Sequence, residues 1–154
     1  MGPLDHSPAD IIRKMLVNLG LGVTPSYSAA GKYNGSPWPV FAGGEPDTPD
    51  SAITVYDTAG VDHGRLMVTG ERPEHHGILI RVRSAAHTAG YAKARAIAVA
   101  LDTDVSFEAA TIGSTTYIVW AVTRTTDVLD IGKETNTNRD LFTVNAIVSL
   151  RKDT

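Results

Sequence analysis

The stretch Leu141–Leu150 constrains this chain more than any other. Phe142, Val144, Ala146, Val148 and Leu150 alternate with Thr143, Asn145, Ile147 and Ser149. Successive side chains of a strand point to opposite faces. The alternation therefore demands a sheet with one apolar face and one face that is wet or lies in an interface. Something must cover the apolar side, and in a chain with helical patterns that cover is a helix layer.

Other stretches supply the remaining strands. Gly77–Ser84 alternates Ile78, Ile80 and Val82 with Leu79, Arg81 and Arg83, giving one apolar face and one that becomes basic. Ala52–Tyr56 is a short strand between a Gly/Pro-rich turn and a second turn at Asp57–Gly60. Thr115–Thr125 is rich in β-branched and aromatic residues. Val105–Ala109 reads as a short strand. Trp38, Val40 and Phe41 read as another, placed at an edge because Pro37 and Pro39 cannot donate to a ladder.

Two helices are expected. The first starts near Ser7, a good N-cap followed by Pro8 at the first helical position and Asp10 in the first turn. Ile11, Ile12, Met15, Leu16 and Leu19 form its apolar stripe, and Gly20 and Gly22 stop it. The second spans His87–Leu101, with Tyr91, Ala94, Ile97, Ala98 and Leu101 on one side and Lys93 and Arg95 on the wet side. Thr24–Gly35, Val61–His76 and Thr126–Asn138 are expected loops. The order α, β, β, β, α, β, β, β points to an α+β fold: a single mainly antiparallel sheet with two helices packed on one face, as one domain over residues 1–154.

Composition narrows the function. The chain has no cysteine, which removes disulfides, thiol catalysis and cysteine-bound metals and fits a reducing cytoplasm. No apolar run approaches the length of a membrane span, and no secretory signal is expected at the N-terminus. A net charge of -3 gives no broad attraction for nucleic acid.

The candidate chemical motifs fail one by one. Asp57-Thr58-Ala59-Gly60 resembles the Asp-x-x-Gly switch of small GTPases, but no phosphate-binding loop accompanies it. Gly132-Lys133 is followed by Glu134 rather than Ser or Thr. The same residues resemble the Asp-Thr-Gly of aspartic proteases, but an alanine intervenes and a homodimer would be needed to pair Asp57 with itself. A small hydrolase using Asp57 stays as a lesser alternative; the expected role of Asp57 and Thr58 is to cap their own turn. His63, His75 and His76 with Asp62 and Glu74 lack metal-ligand spacing. Gly113-Ser114 has no evident base, and Tyr27, Tyr33 and Trp38 with Lys32 lack the basic surroundings of a single-strand binder. No catalytic, cofactor or metal residue emerges.

The order of the motifs carries a resemblance. Phe41-Ala-Gly-Gly-Glu-Pro-Asp-Thr-Pro-Asp-Ser-Ala-Ile-Thr-Val-Tyr-Asp-Thr-Ala-Gly is followed by Ile80-Arg-Val-Arg, then by Tyr91-Ala-Lys-Ala-Arg-Ala-Ile, then by Asn138-Arg-Asp-Leu-Phe-Thr-Val-Asn. This succession, from Asp10 to Leu150, resembles the tail terminators, minor capsid proteins of tailed bacteriophages. The chain departs from the pattern in a long insert at Thr24–Pro37 and a His-containing loop at Val61–His76. The resemblance implies a non-enzymatic virion protein of the neck, assembled in the host cytoplasm, with no cofactor. It implies a homohexameric ring that caps the tail tube, stops its polymerisation and docks a head-side connector or stopper protein, with genomic DNA passing through the lumen and no membrane contact. A head-closure or connector protein at the same junction is the alternative. Candidate interface residues are Arg81, Arg83, His63, Arg65, His75, His76, Lys133 and Arg139. Arg81 and Arg83 are expected to meet acidic groups of an adjacent subunit, and the loops at Val61–His76 and Thr126–Asn138 are expected to meet tube or connector.

Overall fold

A computed structural model of the protein describes residues 4–62 and 74–153. Its elements are α1 (Pro8–Asn18), β1 (Val40–Ala42), β2 (Ala52–Asp62), β3 (Glu74–Ser84), α2 (His87–Thr103), β4 (Glu108–Ile112), β5 (Thr115–Arg124), β6 (Leu129–Lys133) and β7 (Asp140–Lys152). The strands form one sheet in the order β1-β2-β3-β7-β5-β4, with β6 also beside β7. Every pairing is antiparallel except β1 with β2. The expected α+β fold is the one observed.

The alternating stretch lies in β7, the spine of the sheet. One edge of β7 pairs with β3 from Asp140 to Ser149. The other pairs first with β6, over Asp140–Thr143, and then with β5, over Ala146–Lys152. Thr125 donates its N–H to the Asn145 carbonyl at 3.0 Å, so β5 and β6 follow β7 as one interrupted strand. Phe142, Val144, Ala146 and Val148 are buried with Ile53, Val55, Ile78, Ile80 and Val82 of β2 and β3.

Both helices cover that apolar face. Ser7 caps α1 by accepting the Asp10 N–H at 3.2 Å. Ile11, Ile12, Met15 and Leu16 are fully buried, and each contributes on the order of 2 kcal/mol through the apolar area removed from water. Gly20, with φ +77, lets the chain leave the helix. Helix α2 packs over β3, β5 and β7. It comes closest at Gly90, where a Cβ would lie 2.7 Å from the Phe142 ring.

Several expectations change. Asp57–Gly60 is not a turn: β2 runs through it, with a bulge where the register skips from Thr58 to Val61. Gly60 and Gly77 permit the close approach, since added Cβ atoms would sit 2.2 Å from the His75 carbonyl oxygen and 2.4 Å from Thr58 Oγ1. Val61, Asp62, Glu74, His75 and His76 belong to β2 and β3 rather than to a loop. The rest of that expected loop, with His63 and Arg65, lies outside the described residues. Trp38 has φ 65 and stands outside β1, which begins at Val40. Phe107 has φ 55, so the strand expected at Val105–Ala109 starts at Glu108 instead. Strand β6 lies inside the expected loop Thr126–Asn138, where five residues give too short a pattern to stand out.

Candidate functional site

The sheet face opposite the helices is crossed by residues 43–51, and arginines hold this strap. Arg81 and Arg83 are two residues apart on β3 and share that face. Arg81 donates Nη2 to Glu45 Oε2 and, at 3.0 Å, to the Tyr56 hydroxyl. Arg83 is buried and donates to the carbonyls of Asp50 at 3.2 Å and Pro49 at 2.5 Å. Its Nη1 lies 3.6 Å from Glu45 Oε1. Both arginines therefore meet Glu45 of their own chain. Arg139 enters from the start of β7. It donates to the Asp47 carbonyl at 2.6 Å and to the carboxylates of Asp47 at 3.1 Å and Glu134 at 2.6 Å. The hydroxyl of Thr137 and the Arg139 guanidinium together hold the Glu134 carboxyl below its ordinary range.

A second set of polar contacts binds α2 to the β5–β6 strand. His87 Nε2 lies 3.0 Å from Asp130 Oδ2. Arg95 Nη1 lies 3.4 Å from Asp127 Oδ1. Arg124 grips Asp102 with two bonds of 2.8 and 2.7 Å. These three rungs follow from spacing: at 3.6 residues per turn Arg95 and Asp102 lie within about 20° of each other around α2 and His87 within about 80° of both, so all three reach the neighbouring strand. The bond from Arg124 holds the Asp102 carboxyl low, the Val128 N–H does so for Asp127, and the Gly132 N–H with His87 does so for Asp130. The Asp102 bond in turn raises the Arg124 guanidinium above its ordinary value. A shallow polar groove runs along Asp102 and Val122–Asp127.

The former catalytic candidate has a structural task. Asp57 Oδ1 accepts the Ala9 N–H at 2.9 Å, so the carboxylate caps the first turn of α1 rather than its own turn. Among the described residues no three His, Asp or Glu side chains converge as a metal site. Lys93 is not on the wet side: it donates to the Leu21 carbonyl at 3.0 Å and stands 5.4 Å over the Trp38 ring, and burial lowers its pKa.

The interface candidates separate in space. Arg81, Arg83 and Arg139 converge on the strap. His75 and His76 lie on β3 beside β7, with His75 Nδ1 and Ser149 Oγ sharing a hydrogen bond of 2.5 Å. Lys133 ends β6 and reaches Asp140 at 3.2 Å. Sequence reading missed Glu45, the capping role of Asp57 and the β6 residues Leu129 and Ile131. Glu45 was detectable as the one carboxylate beside the Gly43-Gly44 turn; nothing local marks the other roles. Among the described residues no helix is long and apolar enough to cross a membrane. A family model described as bacteriophage tail terminator protein matches residues 15–152. No curated protein matches the chain.

Proposed function

The chain belongs to the bacteriophage tail terminator family, and from that premise we propose that it is a non-enzymatic ring protein of the virion neck. Its role lies in phage tail assembly. The proposed ring, of six copies, caps the tail tube, stops its growth and presents a docking surface to the head-side connector. Genomic DNA passes through the lumen without sequence-specific contact, which suits a net charge of -3. The protein acts as one domain over residues 1–154 and is assembled in the host cytoplasm.

The family match along nearly the whole chain carries this reading. The fate of the charged groups supports it: Arg83, Arg139, Asp57 and Glu45 hold backbone and loops of their own chain. The segment from β2 to β3, including His63, Arg65, His75 and His76, and the segment 126–138 with Lys133 are the proposed contacts with tube and connector.

Negative-stain images of the purified protein, alone and mixed with tail tubes, test the reading. Sixfold rings, or caps at one end of the tubes, are expected. A monomer that leaves tube length unchanged would overturn it. Binding to connectors but not to tubes would move the protein to the head side of the junction.

A further inference from the structure

Strand β4 covers only part of the outer edge of the sheet. It pairs with β5 from Thr115 to Val119 and no further. Beyond that point, β5 and β6 pair with β7 on their inner side and have no outer strand partner among the described residues. An unpaired edge offers N–H and C=O groups to another strand; on this one the Val128 and Gly132 N–H groups are already taken by Asp127 and Asp130 and the Thr126 carbonyl by Arg124. This one also displays apolar side chains: Trp120, Leu129 and Ile131 are 42%, 43% and 52% exposed.

The charged groups along the edge already have polar partners within the chain. Asp130 meets His87, Asp127 meets Arg95, Asp102 meets Arg124, and Lys133 meets Asp140. A partner therefore needs no charge of its own, and a polyanion gains little there. The occupant that fits is an extended segment with little charge and with aromatic or small side chains.

The same chain carries one. Residues 24–37 contain a single charged side chain, Lys32. None of these residues is buried. The segment forms a narrow hairpin through a bridge between Tyr27 and Tyr33, whose rings meet edge to face at 5.4 Å. Tyr27 donates its hydroxyl to the Thr48 carbonyl at 2.7 Å, which steadies the arm against the strap, and tyrosine is among the residue types enriched at protein interfaces.

We propose that the outer edge of β5–β6 receives the 24–37 arm of a second copy of this chain, the contact that joins neighbours in the ring. The proposal rests on the ring reading above. Arm and edge are different patches, so the contact is heterologous and repeats around an axis until it closes.

The chain has no cysteine, which makes a direct test clean. The double variant Ala30→Cys with Ile131→Cys, assembled and mildly oxidised, is expected to give a ladder of covalent multimers on a non-reducing gel; both positions are exposed. Either single variant is expected to give dimers at most. Leu129→Lys with Ile131→Lys is expected to raise the concentration needed for assembly at least about tenfold while leaving the circular dichroism spectrum unchanged, since both side chains are exposed. Rings in electron micrographs without a ladder would overturn the arm-to-edge contact and leave the ring reading standing. No self-association, with or without tubes, would overturn both.

Discussion

Two segments of this molecule are tied down by charged groups, and they differ in what surrounds the charges. The strap at residues 43–51 is held from inside: the side chains of Arg83 and Glu45 are 2% and 4% exposed. The rungs from α2 to β5–β6 stand in water: Asp127 is 78% exposed and Arg95 48%. In low dielectric a charge without its partner is costly, so the strap is fixed. In water the same pairing is screened and weak, so the β5–β6 edge keeps its shape while remaining adjustable. One chemical device thus gives a rigid part and an adaptable part. The adaptable part borders the edge proposed to receive a neighbour.

That contrast sets an order of effects. Arg83→Met strips the buried guanidinium from the Asp50 and Pro49 carbonyls and from the vicinity of Glu45. It is expected to lower stability by about 3 kcal/mol. Urea unfolding measures this, and a loss under about 1 kcal/mol would mean that the strap is not held by burial of charge. Asp57→Ala removes the part-buried cap contact on α1 and is expected to cost about 1 kcal/mol, between the two regimes. A normal melting curve for this variant would show that the cap is dispensable. Asp102→Asn weakens an exposed rung and is expected to cost about 0.5 kcal/mol or less, and less again in high salt. A salt-independent loss would contradict the screening argument.

Acid titration probes the exposed rungs together. The carboxyls of Asp102, Asp127 and Asp130 are held below their ordinary values in the folded chain. Their stabilisation is therefore present above the unfolded pKa, about 4, and is lost as pH falls through the folded values. Replacing all three by Asn should lower the melting temperature at about pH 7 and make no difference near pH 2. An equal shift at both pH values would show that the rungs act through packing.

The frame of the fold could be read directly from the residues. Both helices and the strands holding Ile53, Ile80, Tyr117 and Phe142 announce themselves through periodicity and propensity, which are local. The misses are long-range or two-sided. Asp57 looks like the cap of a turn because its partner, the Ala9 N–H, lies 48 residues away. Arg81 and Arg83 look like solvent or interface charges because the strap that covers them comes from a turn-rich segment without strand or helix pattern. Strand β6 is invisible because all five of its residues are exposed, leaving no burial pattern to alternate. Family resemblance was legible through motif order, whereas the open edge beyond β4 required knowing where each strand pairs.

The place of β7 in the chain has a consequence for biogenesis. Strands β1 to β3 form one group and β4 to β6 contribute to another, and only β7 joins them. β7 follows every other element in sequence. During synthesis the two groups of strands therefore stay unpaired with each other until residues 140–152 leave the ribosome, and sheet closure comes in a single late step. A chain cut before Asp140 has no route to the closed sheet, so incomplete products cannot present the finished edge to a growing assembly.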